Sequence, residues 1–191
     1  TAYSNNYGFY SESGSSNNTL TSNTAYSNSN LGFYFDDSNN NTLTSNNSYS
    51  NNYGFYLTSV YNNTLTSNNS YSNNYVGFYL DYSSNDTLTS NNSYSNGTHG
   101  FWFESSNNNT LTSNNSYSNN YGLYTYESTG NIIINYNYGV GGANTNADIY
   151  FEDPAAASKI RCYSCNLASA TEVTGVTYAG AYFISFKHDN L

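Results

Sequence analysis

Residues 40–57 read NNTLTSNNSYSNNYGFYL, and close copies of this run recur along most of the 191-residue chain. The aliphatic residue at the centre of the Thr-Leu-Thr segment returns at steps of 23, 22, 23, 23 and 22 residues, as Leu20, Leu43, Leu65, Leu88, Leu111 and Ile133. A fixed period of this length is typical of stacked supersecondary units that cannot bury their apolar side chains alone. The sequence therefore predicts a repeat protein.

The repeat unit favours short strands over helices. Asn, Ser, Thr and Gly are poor helix formers, whereas Thr, Tyr and Phe suit pleated strands. Parallel stacking at about 4.8 Å places each position over its copy in the next unit. The fold class expected is all-β, a single-stranded parallel β-helix with coils of about 22–24 residues. Alternation along the Gly-aromatic-Tyr strand predicts two inward sets, Phe33, Phe55, Phe78 and Phe101 with Phe35, Leu57, Leu80 and Phe103.

The pattern weakens toward the C-terminus. We expect residues 1–150 to form the β-helix repeats and residues 151–191 to form a β-rich cap or assembly segment. Asp153 to Ala157 could open with one helical turn, because Pro154 follows a capping aspartate. Residues 180–186 alternate in hydrophobicity as a strand does.

The repeat resembles the parallel β-helix repeat family, which includes secreted carbohydrate-active proteins, archaeal surface proteins and the periplasmic maturation factor of nitrous-oxide reductase. The motif shared is Asn-Asn-Thr-Leu-Thr-x-Asn followed by Gly-aromatic-Tyr, as at residues 40–46 and 54–56, and the resemblance covers about residues 1–140. It implies the fold and leaves the function open, because one scaffold can support several activities.

The charge distribution argues against nucleic acid as a partner. The formal net charge is −9, and the three basic residues all lie near the C-terminus, at Lys159, Arg161 and Lys187. Binding to nucleic acid or to an anionic membrane would lack its electrostatic driving force. No apolar run approaches the roughly 20 residues that span a bilayer, so membrane insertion is not expected.

Ten Asn-x-Ser/Thr sequons suggest N-glycosylation of an exported protein, although a repeat can also produce sequons by accident. One column keeps asparagine even where the sequon is lost, as in Asn23-Thr24-Ala25. We interpret that column as a buried structural ladder of stacked amides, Asn23, Asn46, Asn68, Asn91 and Asn114. If glycans are present, the preferred sites are Asn17, Asn40, Asn62, Asn85, Asn96 and Asn108.

One outward column on the Gly-aromatic-Tyr strand is aromatic throughout. It could form a flat platform for sugar rings or for a neighbouring subunit, or it could simply stabilise the sheet. Its members are Tyr10, Tyr34, Tyr56, Tyr79, Trp102 and Tyr124. Two residues further along, on the same face, lie Glu12, Asp36, Thr58, Asp81, Glu104 and Tyr126. Carboxylates beside aromatic rings also suit Ca²⁺, but nothing else in the sequence supports a cofactor or a metal.

Catalysis is not expected. Asp81 and Glu104 should lie about 5 Å apart, which is the separation of a retaining glycosidase pair, but adjacent coils impose that separation in any case. His99 and His188 each lack a nucleophile and an orienting acid nearby in the sequence. Polysaccharide lyases with this fold use basic residues to neutralise a uronate, and residues 1–158 contain no Lys or Arg. The prediction is that the chain is not an enzyme.

Two cysteines, Cys162 and Cys165, form Cys-Tyr-Ser-Cys. A zinc site would need a second pair of ligands, which the chain does not offer. A local or intermolecular disulfide and a pair of buried free thiols stay open as alternatives.

Two functions fit these features. The first is an extracellular structural protein, a subunit of a cell-surface filament or layer, in which copies of the chain assemble head to tail through open β-helix ends. The opening segment, residues 1–5, itself matches part of a coil at residues 24–28 and would leave such an end uncovered. The alternative is a carbohydrate-binding surface protein that uses the outward aromatic column to hold a glycan.

Overall fold

The computed structural model describes residues 1–138, 142–152, 160–163 and 185–186, and within them it contains 22 β-strands. In chain order the strands are β1 Ala2–Tyr3, β2 Tyr7–Ser11, β3 Thr19–Thr21, β4 Thr24–Tyr26, β5 Leu31–Asp36, β6 Thr42–Thr44, β7 Asn47–Tyr49, β8 Tyr53–Thr58, β9 Thr64–Thr66, β10 Asn69–Tyr71, β11 Val76–Asp81, β12 Thr87–Thr89, β13 Asn92–Tyr94, β14 His99–Glu104, β15 Thr110–Thr112, β16 Asn115–Tyr117, β17 Tyr121–Tyr126, β18 Asn131–Ile134, β19 Asn137–Tyr138, β20 Ala147–Phe151, β21 Ile160–Tyr163 and β22 Ser185–Phe186. Successive groups of three strands make one coil.

The strands form three parallel sheets that run the length of the stack. The first sheet has the order β1-β4-β7-β10-β13-β16-β19, the second β2-β5-β8-β11-β14-β17-β20, and the third β3-β6-β9-β12-β15-β18-β21-β22. Repeat positions pair in register, for example Leu43 with Leu65 and Phe55 with Phe78. This arrangement confirms the predicted all-β parallel β-helix.

Apolar columns fill the interior. The rings of Phe9, Phe33, Phe55, Phe78 and Phe101 stack with centroids 4.6 to 4.9 Å apart and planes that differ by only 4° to 8°. The leucines at the centre of the third-sheet strands, from Leu43 to Leu111, are fully buried. The two sets that alternation predicts to point inward, Phe33 to Phe101 and the set Phe35, Leu57, Leu80 and Phe103, are both buried. Burying one such side chain stabilises the fold by about 1.5–3 kcal/mol.

Residues in the left-handed backbone conformation turn the chain at the corners of each coil. Serines and asparagines with φ between 51° and 63° recur at equivalent places in successive coils, such as Ser45 (φ 56°), Ser50 (φ 55°) and Asn40 (φ 57°). Asparagine is among the few non-glycine residues that adopt this conformation at low cost. The Asn- and Ser-rich composition is therefore explained in part by the bends that a coil requires.

Three ladders of side-chain amides line the corners. In each, the backbone N–H of one residue donates to the side-chain Oδ1 of its copy in the following coil, as Asn46 does to Asn68 at 2.9 Å. The first amide ladder comprises Asn18, Asn41, Asn63, Asp86, Asn109 and Asn131. The second amide ladder comprises Asn23, Asn46, Asn68, Asn91 and Asn114. The third amide ladder comprises Asn28, Asn51, Asn73, Asn96, Asn119 and Asn144.

Glycines of the second sheet allow the first and second sheets to approach closely. The Ser70 hydroxyl donates to the Gly77 carbonyl at 2.8 Å, across the corner between the two sheets. A Cβ added at Gly54 would lie 1.9 Å from the Ser70 Oγ and 2.6 Å from the Gly77 carbonyl oxygen. Only glycine fits this position.

Part of the C-terminal segment continues the stack. The predicted strand at residues 148–151 is found as β20, and β21 pairs in parallel with β18, so that Cys162 lies beside Ile133 in the backbone register. The proposed helical turn at residues 153–157 and most of the strand at 180–186 lie outside the described residues. The domain boundary near residue 150 stays a prediction.

Candidate functional site

The outward face of the second sheet carries the aromatic column predicted from the sequence. Register places Tyr34 beside Tyr56, Tyr56 beside Tyr79, and Tyr79 beside Trp102. The ring centroids of these pairs are 5.4, 4.7 and 4.7 Å apart, with planes at 21°, 7° and 26°. Tyr150 extends the column beyond Tyr124. The structure thus brings all six predicted residues into one continuous column, in which Tyr124 is buried, with only 8% of its surface exposed.

The stacking of the rings disfavours one of the alternatives left open for this column, a flat platform for sugar rings. Neighbouring rings in the column lie nearly parallel, as do Tyr10 and Tyr34 at 9°, so each ring covers the face of the next. Ring edges and hydroxyl groups are left to meet solvent. The regular part of the column therefore offers hydrogen bonds more readily than stacking.

The column breaks at Trp102. The ring of Tyr124 meets the indole edge to face, with centroids 5.5 Å apart and planes at 74°. His99 fills the position three residues before Trp102 and contacts Trp102, Tyr121 and Tyr124, at centroid distances of 4.8, 5.1 and 4.6 Å. The indole Nε1 is buried and has no hydrogen-bond partner. We call Tyr79, His99, Trp102, Tyr121 and Tyr124 the aromatic junction.

Tyrosine hydroxyls along the column donate to the adjacent row of carboxylates. Tyr34 donates to Asp36 at 3.2 Å, Tyr56 donates to Asp81 at 3.2 Å, and Tyr79 donates to Glu104. Burial, and then the negative charge of Asp36, raise the pKa of Tyr34 to about 12. Burial and the Glu104 hydrogen bond raise the pKa of Tyr79 as well. The face therefore presents neutral phenols next to carboxylate oxygens.

His99 is neutral in this setting. Burial lowers the pKa of its imidazole to about 4, and Nδ1 lies 3.0 Å from the Thr98 hydroxyl. A neutral imidazole can accept one hydrogen bond and donate another. No nucleophile or orienting acid lies near His99 in the sequence, and its alignment with Tyr121 in the next coil is the signal that could have placed it at the junction.

The structure divides the sequons into two groups. Five sequon asparagines are exposed and have a left-handed backbone conformation, with φ between 57° and 63°: Asn17, Asn40, Asn62, Asn85 and Asn108. Asn96 is only 4% exposed, and its Nδ2 donates to Ser93 Oγ and to Asn119 Oδ1 at 3.1 Å each. A glycan on Asn96 is incompatible with this geometry, which corrects the expectation for that site. Sequence reasoning missed the third amide ladder, to which Asn96 belongs.

Several remaining expectations fall partly outside the described residues. Cys165 and His188 are not described, and for Cys162 only the backbone position in β21 is known. The disulfide and the free thiols therefore both stay open. The part of the chain that the structure describes contains no helix long and apolar enough to cross a membrane.

Comparison with known proteins places the chain among β-helices. The family model described as "Periplasmic copper-binding protein (NosD)" matches residues 1–156. The solved structure of the periplasmic alginate epimerase AlgG superposes with a TM-score of 0.74 at 20% identity, covering 94% of this chain and 47% of AlgG. The mannuronan C-5 epimerase AlgE6 A-module of Azotobacter vinelandii gives a TM-score of 0.70 at 18% identity, covering 94% and 61%. The chain thus spans about half the length of AlgG. No curated protein sequence matches it.

These structures overturn the prediction that the chain is not an enzyme. Both solved structures are epimerases and share this coil architecture, so the fold and its repeat give no reason to exclude catalysis. At this level of identity the likeness establishes the fold alone.

Copper does not fit the described residues. Protein copper sites use imidazole, thiolate and thioether ligands. The chain has no methionine, and the described residues contain no group of three His, Cys, Asp or Glu that could hold a metal ion. The His99 ring is packed among aromatic rings and has no second such ligand beside it. We therefore derive no copper chemistry for this part of the chain.

Proposed function

This chain belongs to the NosD family of periplasmic copper-binding proteins, and from that premise we propose that it is an exported protein that binds a glycan on the outward face of its second sheet. The observation that carries the proposal is the aromatic junction. There the stacked column is interrupted by the 74° angle between the rings of Trp102 and Tyr124, and Trp102 is partly exposed whereas Tyr124 is buried. Aromatic faces and edges beside polar groups suit the mixed apolar and hydroxyl surface of a sugar.

The hydrogen-bonding groups around the junction support the same function. Glu104 accepts from Tyr79, and the neutral His99 has one ring nitrogen beyond the one that faces Thr98. A glycan that lies along the helix axis would meet such phenol and carboxylate groups in successive coils. Repetition of this kind favours an extended, repeating ligand.

Charge narrows the class of glycan. The outward face carries Asp36, Asp81 and Glu104, and the sequence has no Lys or Arg before Lys159. A polyuronate would be repelled by this surface, whereas a neutral or amino-sugar polysaccharide would not. AlgG is named for alginate and the AlgE6 A-module for mannuronan. Both polymers are polyuronates, so this chain is expected to differ from these epimerases in its ligand.

Glycan-array binding followed by calorimetry tests the proposal with the full chain. Trp102→Ala should weaken binding by at least about tenfold, which corresponds to about 1.4 kcal/mol. Tyr71→Ala is the matched control, because Tyr71 belongs to a similar stacked column on the first sheet. Absence of binding to any neutral or amino-sugar glycan, or equal losses in the two variants, would contradict the proposal.

The head-to-tail filament and the location at the cell surface are predictions that this proposal does not depend on. The head-to-tail filament would need a contact between copies, and no contact of the described residues tests it. Location at the cell surface, as opposed to the periplasm, is equally untested.

A further inference from the structure

Asp86 interrupts the first amide ladder. Asparagine fills this position in the coils on either side, at Asn63 and Asn109, and Asp86 is just as deeply buried, with 1% of its surface exposed. A carboxyl group has replaced an amide of nearly the same shape. One amide donor has thereby become an oxygen.

Only one of the two carboxyl oxygens is hydrogen-bonded. Oδ1 accepts from the backbone N–H of Asn63 at 2.7 Å and from its side-chain Nδ2 at 3.0 Å. The backbone N–H of Asp86 donates to Asn109 Oδ1 at 2.8 Å. Oδ2 is buried and has no hydrogen-bond partner. A buried, unpaired carboxylate oxygen is strongly unfavourable.

The other residues of the first amide ladder show which groups surround the position of the Asp86 Oδ2 atom. The Nδ2 of Asn18 donates to Asn41 Oδ1 at 3.1 Å, and the Nδ2 of Asn41 donates to Asn63 Oδ1 at 3.1 Å. The Nδ2 of Asn109 instead donates to the Ser83 carbonyl, also at 3.1 Å. In every case the atom that corresponds to Oδ2 faces an acceptor. A hydroxyl at Oδ2 can satisfy such a position, whereas a carboxylate oxygen cannot.

Among the described residues, the hydrogen-bond partners of Asp86 are all uncharged. From the coils on either side it meets the amides of Asn63 and Asn109. At its own corner the Ser83 hydroxyl donates to the carbonyls of Leu57 and Asp81. Burial raises the pKa of Asp86 to about 7, and the Asn63 hydrogen bonds oppose that rise.

We propose that Asp86 is held as a neutral carboxylic acid whose Oδ2 hydroxyl donates into the ladder, and that loss of this proton to water weakens the stack between the fourth and fifth coils. Because the folded protein holds the proton more tightly than the unfolded chain, the stabilisation is fully present below about pH 4. It is lost as the pH rises toward about 7. Asp86 would thus make this corner of the β-helix sensitive to pH.

Thermal unfolding of the full chain between pH 4 and pH 9 tests the proposal. Asp86→Asn restores the amide of the other rungs, so its Tm should exceed the wild-type Tm by a margin that grows as the pH rises and levels off above about pH 8. Asp37→Asn makes the same charge change at an exposed residue and should show no such growth. An equal pH profile for wild type and Asp86→Asn would overturn the proposal.

Two additional experiments test the proton itself and its dependence on the ladder. Infrared difference spectra should show a protonated carboxyl band at pH 5 that is absent in Asp86→Asn, and an ionised Asp86 at that pH would contradict the proposal. Asn63→Asp places a second acid in the same ladder and should add a second loss of Tm with rising pH. A pH-independent Asn63→Asp variant would show that ladder geometry does not hold the proton.

Discussion

The indole of Trp102 lies at 26° to the ring of Tyr79 on one side and at 74° to the ring of Tyr124 on the other. The column is therefore stacked up to Trp102, is edge to face between Trp102 and Tyr124, and is stacked again between Tyr124 and Tyr150. Tyrosine occupies the equivalent position in the preceding coils, where the stack continues. The larger indole and the neighbouring His99 together mark the place where the regular surface changes.

Replacing Trp102 by tyrosine should retain the fold and weaken glycan binding. Tyrosine is the residue of the neighbouring coils, so the Tm should change little, whereas loss of the indole should reduce affinity by about three- to tenfold, or about 0.5–1.5 kcal/mol. Calorimetric titration beside a thermal melt measures both. Unchanged affinity in a folded Trp102→Tyr protein would move the site away from the indole.

His99 should make the protein sensitive to acid. Its pKa is lowered to about 4 by burial, so the folded state binds fewer protons than the unfolded chain. The stability gained from the neutral imidazole is present above about pH 6.5 and is lost as the pH falls toward 4. His99→Tyr, which copies Tyr121 of the next coil, should remove this loss.

Melting curves between pH 3.5 and pH 7.5 measure the effect. A loss of about 1 kcal/mol corresponds to about 2–4 °C in Tm for a chain of this size. The direction is opposite to that of Asp86, so the two residues can be separated by their variants. If His99→Tyr loses stability in acid as steeply as the wild type, another group is responsible.

Removing one rung of the second amide ladder should be costly. Asn68 Oδ1 accepts from the backbone N–H and the Nδ2 of Asn46, and its Nδ2 donates to Leu43 and to Asn91. Asn68→Ala leaves several of these buried groups without partners, at a cost of about 1–3 kcal/mol for each one that stays unsatisfied. Denaturant unfolding gives the free energy.

Asn62→Gly is the control for this prediction. Asn62 is exposed with a φ of 60°, and glycine tolerates that backbone conformation, so stability should change by less than about 0.5 kcal/mol. A comparable cost in both variants would show that the ladder contributes no more than any corner asparagine.

Alanine at Gly54 should destabilise the fold by about 1–3 kcal/mol or more, because its Cβ would overlap Ser70 and the Gly77 backbone. Adding Ser70→Ala should recover only part of the loss, since the Gly77 carbonyl oxygen would still lie 2.6 Å from the new Cβ. Gly14→Asn is the control, because nothing lies within 4 Å of the Cβ position at Gly14 and asparagine accepts its φ of 84°. Full recovery in the double variant would assign the clash to the hydroxyl alone.

The repeat in the sequence was sufficient to predict the coils, the parallel stacking and the inward direction of residues such as Phe55 and Leu57. These features follow from two periods, one of about 23 residues between coils and one of two residues within a strand. Both periods are visible in a one-dimensional string. The predicted second amide ladder has the same origin, because its asparagine column is kept even where the sequon is lost, at Asn23.

The tertiary structure alone decided what happens at the corners and between side chains of adjacent coils. Asn96 and Asn108 carry the same sequon pattern, yet one is buried in a ladder and the other is exposed, because left-handed residues such as Ser95 redirect the chain where alternation no longer applies. The angle between Trp102 and Tyr124 and the unpaired oxygen of Asp86 likewise depend on contacts between residues more than 20 positions apart. The sequence determined which residues recur, and three-dimensional packing determined which of them are satisfied, buried or open to a ligand.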